Sequence, residues 1–153
     1  MDSGVGKAFY AKTDASGSIA FAGAIGTSSS FTIEGMGKTN DNHIVMTGSF
    51  NSKLLVLKFT EGGTSVFTRY VNVNYNMKGL SITAAQSGNG MVITGITEVN
   101  NKQELFVLQL DADGNSNDSS LPVISITPGA SNLASSITVT DESGTSLYKS
   151  VTN

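Results

Sequence analysis

The chain carries one short pattern three times, and a pattern repeated in phase restricts the fold more than any single residue does. Lys7 to Thr13 reads KAFYAKT, Lys53 to Phe59 reads KLLVLKF, and Gln103 to Leu110 reads QELFVLQL. Each runs directly into a turn ending in glycine: DASG from Asp14, TEGG from Thr60 and DADG from Asp111. A second motif keeps the same beat. NHIVMTG from Asn42 returns as NGMVITG from Asn89, an offset of 47 (89 − 42 = 47). A period of this length, made of apolar runs punctuated by glycine turns, means stacked β units.

Ile19 to Ile25 (IAFAGAI) and Ser65 to Val71 (SVFTRYV) follow the first two glycine turns at equivalent places and have the β-branched and aromatic content of strands. No stretch sustains apolar residues at helical spacing with caps, so almost no helix is expected. Leu54 to Leu57 and Leu105 to Leu108 are apolar at consecutive positions, which predicts strands whose two faces both meet protein. In an antiparallel protein that requires a sheet stacked on each side. The third unit is less regular, yet SITAAQSGNGMVITG from Ser81 is echoed by SITVTDESGTSLYKS from Ser136, an offset of 55 (136 − 81 = 55). The added length falls in Asn115 to Asn132, a Ser-, Asn- and Asp-rich stretch holding both prolines, Pro122 and Pro128. Insertion there costs little, because loop-closure entropy grows slowly with length. The stretch reads as a loop flanking an edge-like strand around Val123 to Thr127. The whole chain, 1–153, is one repeat domain with units at about 7–52, 53–101 and 102–153.

The order of AF, an apolar residue, AK, x, D, x, SG, then an apolar strand, then DNxxVxTGS resembles the bacterial β-propeller repeat known as the SBBP or seven-bladed-propeller-type repeat. Residues 7–50 match a whole unit, 53–97 a second with weaker turns, and 103–153 a degenerate third. The resemblance implies blades of four antiparallel strands around an axis, with no shared catalytic residues. Propellers close with four to eight blades, and three are present here. If the TG strand and the one before it form the inner pair of a blade, the chain opens on an outer pair and ends on an inner pair. Unpaired strand edges must be covered. Two copies joined by a twofold, each completing the other's half-blades, would satisfy both ends. A fragment of a longer propeller and a β-sandwich are the alternatives. The expected class is therefore all-β, built from propeller-type four-stranded antiparallel sheets, partial or completed by oligomerisation.

Composition narrows the function. At 153 residues with 39% hydrophobic content the chain can fill a core, and with no cysteine it has neither disulfides nor thiolate metal sites. The net charge is −3 and the nine basic residues are scattered, which argues against a nucleic-acid partner. No apolar run approaches the roughly 20 residues needed to cross a bilayer as a helix, so no membrane insertion is expected. MDSGVGKAFY lacks the basic start and apolar run of a secretory signal, so export by that route would need a signal ahead of Met1. The polar, weakly charged composition suits an extracellular, cell-surface or particle-associated protein.

Candidate chemistry is sparse. Asp111, Asp113, Asn115 and Asn117 set oxygens at positions 1, 3, 5 and 7 of a loop, as a calcium loop begins, but position 12 is Pro122 and the glycine stands at position 4. A hairpin turn is the simpler reading, and no metal or cofactor is expected. His43, the only histidine, follows Asn40-Asp41-Asn42 and has Gly90 as its counterpart, which reads as a solvated turn. Asp141 and Glu142 fall in a DESG turn, and the Gly-rich pieces lack the helix start of a phosphate cradle. Asn117-Asp118-Ser119 fits a glycosylation sequon but is discounted in a bacterial-looking repeat. No catalytic residue is assigned, and no enzyme is expected. The loops joining units, Thr27 to Ser30 and Asn72 to Asn76, differ most between repeats, and binding concentrates on such loops. Asn72, Asn74, Tyr75 and Asn76 place amides beside an aromatic ring, equipment for a glycan or a protein edge. The expected function is a non-enzymatic binding or assembly module with a protein or glycan partner. A structural subunit of a virion, filament or surface layer and a carbohydrate-active hydrolase or lyase are the rival readings.

Overall fold

A computed structural model describes residues 8–25, 31–118 and 120–125. Its strands are β1 (Ala8–Thr13), β2 (Ile19–Ile25), β3 (Phe31–Lys38), β4 (Ile44–Phe50), β5 (Lys53–Phe59), β6 (Ser65–Val71), β7 (Asn76–Ala84), β8 (Met91–Val99), β9 (Lys102–Leu110) and β10 (Val123–Ser125). There is no helix among the described residues, as the absence of helical periodicity predicts. All pairings are antiparallel and fall into three sheets: β1-β2, β10-β6-β5-β4-β3 and β7-β8-β9. None closes into a barrel.

Local chemistry makes the turns. In each glycine turn the first residue's N–H donates to the fifth residue's carbonyl, at 2.9 Å for Asp14, 2.8 Å for Thr60 and 3.0 Å for Asp111. The fourth residue is glycine at positive φ: Gly17 (83°), Gly63 (87°) and Gly114 (78°). The β4–β5 and β8–β9 hairpins close on two residues, Asn51-Ser52 and Asn100-Asn101, all at positive φ. That is the mirror-image turn whose twist matches a strand pair, and asparagine tolerates it better than most residues.

The TG motif has an equally local cause. Thr47-Gly48 in β4 lies opposite a register slip in β3 between Ile33 and Gly35, and Thr94-Gly95 in β8 lies opposite a slip in β7 between Gly79 and Ser81. A Cβ on Gly48 would strike the Thr32 carbonyl, and one on Gly95 the Lys78 carbonyl. Each glycine thus lets the bulged partner strand bend onto it.

Side-chain alternation stacks the sheets in one direction. Leu55, Leu57 and Phe59 of β5 face the β1-β2 side, where Tyr10 lies 4.8 Å from Phe59 between ring centres. Leu54 and Val56 face the β7-β8-β9 sheet and share a core with Met77, Ile82, Met91, Ile93, Leu108 and Leu110. Leu54 to Leu57 are 0–1% exposed, as a strand buried on both faces requires. Each such side chain contributes about 1.5–3 kcal/mol relative to exposure. The two interfaces share two contacts. Lys12 donates to the Glu61 carbonyl at 3.4 Å, and its counterpart Lys58 donates to the Ala112 carbonyl at 3.0 Å. The Phe21 ring covers Gly63, and the Phe67 ring covers Gly114.

One expectation is corrected. Leu105 and Val107 of β9 are 86% and 74% exposed, because among the described residues no sheet follows on that side. The edge-like strand expected around Val123 to Thr127 is described as β10 over Val123–Ser125, at the edge of its sheet beside β6, while residues 126–127 lie outside the described residues. The Asn72 N–H donates to the Pro122 carbonyl at 2.7 Å, which ties the incoming chain to the β6 edge. The echo at 136–150, Asp141 and Glu142, and Thr27 to Ser30 lie outside the described residues.

Candidate functional site

The loop from β6 to β7 alternates in burial. Val73 is buried and the Tyr75 ring packs against the core between the sheets, while Asn72, Asn74 and Asn76 are exposed. The Lys53 ammonium staples the loop from below, donating to the Val73 and Tyr75 carbonyls. Of the four residues proposed from sequence, Asn76 alone lines the adjoining cleft of about 170 Å³, with Ser49, Lys78, Glu98 and Gln103 around it. There Asn76 Nδ2 donates to Glu98 Oε2 at 3.2 Å, and Thr97 Oγ1 to the Asn76 carbonyl at 2.9 Å. Lys78 reaches back to Glu34 Oε1 at 2.6 Å. The cleft therefore offers amide, hydroxyl and paired charged groups, while the half-buried Tyr75 packs against the core.

The Asp111 loop spends its oxygens on the turn. Asp111 Oδ1 accepts from the Asp113 and Asn115 N–H groups at 3.0 and 2.7 Å, and Oδ2 accepts from Asn115 Nδ2 at 3.1 Å. The Asn115 Oδ1 accepts from the Arg69 guanidinium. Asp14 is used alike, its Oδ1 accepting from the Ser16 and Ser18 N–H groups at 2.8 and 3.0 Å. Desolvation pushes the Asp111 carboxyl up, but bonds from Asn115 and Asp113, with the Arg69 charge, outweigh it and leave the group below its usual range. Asp111 and Asn117 line a cleft of about 560 Å³ that runs along β9 past Val107. Among the described residues, no three His, Cys, Asp or Glu side chains group as a metal would need.

A buried ionic tie escapes the sequence reading. Lys58, 3% exposed, donates to Asp41 Oδ2 at 3.1 Å as well as to Ala112, so it joins the β3–β4 turn to the turn after β9. Thr39 Oγ1 donates to Asp41 Oδ1, and His43 Nδ1 lies 3.1 Å from Asp41 Oδ2. His43 sits on the expected turn, yet its ring is half-buried against this carboxylate. Desolvation raises the Asp41 pKa, but hydrogen bonds from Thr39 and Lys58 and the positive charge of Lys58 more than reverse it, holding the carboxyl well below the usual range. The signal was a lysine inside an apolar strand buried on both faces, because a buried ammonium needs a carboxylate.

No family model matches the chain, and no curated protein matches it.

Proposed function

We propose that the chain is a non-enzymatic binding or assembly module of β-propeller-type repeats, serving at a bacterial surface, in a secreted protein or on a particle. The observation that carries this is the pair of equivalent interfaces along the stack, each made by a lysine on a turn carbonyl and a phenylalanine over a turn glycine. Units that meet through one repeated contact set add in one direction and leave a seat at each end. At one end Gly17 stands where Gly63 and Gly114 are covered by rings, with nothing among the described residues within 4 Å of its added Cβ. The edge of β1, unpaired among the described residues, borders a groove of about 520 Å³ lined by Ala11, Met36 and Ile44 together with Lys12, Lys38 and Glu61. At the other end Leu105 and Val107 are exposed and await the next half-unit, whichever chain supplies it. The ionisable side chains described above serve as turn clasps and ties between units, which accords with a scaffold.

Light scattering of the purified chain over a concentration series tests the proposal. Copies that complete each other's half-units give a species at a multiple of 15.8 kDa. A monomer at every concentration would refute association through the ends.

A further inference from the structure

The exposed face of β9 copies a face that this chain covers elsewhere. Registered on the TG pairs, Thr47 stands opposite Val56 and Thr94 opposite Val107, so Leu54 corresponds to Leu105 and Val56 to Val107. Leu54 and Val56 are sealed by the β7-β8-β9 sheet, whereas Leu105 and Val107 have no cover among the described residues. Their neighbours across the pairing are Ile96 and Thr94, so the centre of the face carries no charge. Two large aliphatics left in water forgo the stabilisation that burial supplies.

We propose that this face is the docking seat for residues 134–150 of the same chain. In the covered interface the closest approach is Gly79, whose added Cβ would lie 2.8 Å from Leu54 Cδ1 and 3.0 Å from Thr47 Cβ, with Ile82 and Ile93 beside it in the shared core. The echo at offset 55 puts Ala134 in the place of Gly79 (79 + 55 = 134), Ile137 in that of Ile82 and Tyr148 in that of Ile93. A small residue therefore recurs where the two sheets approach closely, and apolar residues recur at both core positions. The reach is adequate. Eight residues separate Ser125 from Ala134 and span up to about 26–29 Å extended, against about 20 Å for two sheet spacings. The inference rests on the repeat reading above, but it concerns contact within one chain.

The native chain has no cysteine, so a designed pair reports without background. Thr94→Cys with Ala134→Cys reproduces the Thr47–Gly79 approach, and mild oxidation should link the two within one chain. The product would run as a monomer on non-reducing electrophoresis and give one linked peptide by mass spectrometry. Thr94→Cys with Ser135→Cys, whose side chain would point to the opposite face, should link at least about tenfold more slowly, because disulfide geometry is narrow. Equal rates would mean mere proximity and overturn the proposal. Links only between chains would assign the seat to a second copy, overturning this inference while leaving the assembly reading in place. No link of either kind would overturn the proposal outright, and a strictly monomeric chain would sink the assembly reading as well.

Discussion

Gly48→Ala should cost stability although it places a larger residue inside a strand. Two effects oppose each other. Replacing a strand glycine by alanine ordinarily gains roughly 0.5–1 kcal/mol, because glycine loses more conformational entropy on folding. Here the new methyl would lie 2.7 Å from the Thr32 carbonyl carbon and 2.9 Å from Ile33 Cα, besides striking the Thr32 oxygen. Ordinary contact begins near 3.4 Å, so the carbonyl carbon must retreat by 0.7 Å (3.4 − 2.7 = 0.7). β3 has no room to yield on its other side, where the same construction at Gly35 meets the Leu80 oxygen at 2.7 Å and Ser81 Cα at 2.9 Å. Overpacking of this kind costs about 1–3 kcal/mol, which outweighs the entropic gain and leaves a net loss of about 1–2 kcal/mol. For a chain of this size that lowers Tm by several degrees. The control is Gly62→Ala, whose nearest atom is Thr60 Oγ1 at 3.8 Å and whose φ is not positive. It should be neutral or stabilising by up to about 1 kcal/mol. Thermal and urea melts of the two variants decide the matter. If Gly48→Ala melts at or above Gly62→Ala, the TG motif does not mark a bulge clearance.

Asp41→Asn leaves the Lys58 ammonium buried with only neutral oxygens to accept from it, its compensating charge gone, which should cost about 3–5 kcal/mol. Lys58→Met should cost less, because Asp41 is partly exposed and takes up water; equal losses by urea melts would deny the asymmetry. The Asp41 carboxyl is depressed in the folded chain, so its contribution is present above the unfolded value of about 3.9 and is lost as pH falls through the folded one. Tm should therefore drop below about pH 4 in the native chain and drop less steeply in Asp41→Asn; parallel curves would remove Asp41 as a cause. Ser52→Gly relieves a serine held at φ 61° in the β4–β5 turn and should raise stability by about 0.5–1 kcal/mol, whereas an unchanged Tm would mean that the turn relaxes in solution.

The features that could be read from sequence are those set by one residue and its immediate neighbours. Gly17, Gly63 and Gly114 mark their turns because few residues accept positive φ. Leu54 to Leu57 mark a doubly covered strand because apolar runs without alternation have no solvent side. What escaped depends on partners distant in sequence. Lys58 and Asp41 are 17 apart and meet across a turn, and Lys58 and Ala112 are 54 apart. Asn51-Ser52 and Asn100-Asn101 were legible in principle, as paired polar residues between apolar runs at equal places in two units. Their common signal, the dipeptide Asn-Gly, is missing, which hid both hairpins. Tyr75 carries two signals at once. An aromatic among asparagines suggests a binding loop, and alternation along Val71, Val73 and Tyr75 turns its half-buried ring toward the core.

The claim that the stack grows by one repeated interface can be tested by coupling rather than by single losses. A Cβ on Gly114 would lie 2.6 Å from the Phe67 ring, and one on Gly63 would lie 2.7 Å from the Phe21 ring. Gly114→Ala thus suffers two penalties, the positive-φ strain and displacement of the ring. In a Phe67→Ala background the second penalty vanishes while the first stays. The double-mutant cycle should therefore show a coupling of about 0.5–3 kcal/mol, with the second substitution costing less after the first. Phe21→Ala with Gly63→Ala should couple with the same sign, because the two pairs occupy corresponding places in successive interfaces. Gly17→Ala combined with Phe21→Ala serves as the unlinked reference, since nothing among the described residues lies within 4 Å of the Gly17 methyl. Its two costs should add. If the first two cycles differ in sign, or if the reference couples as strongly as they do, the contacts are separate accidents of packing and the stack has no common joint.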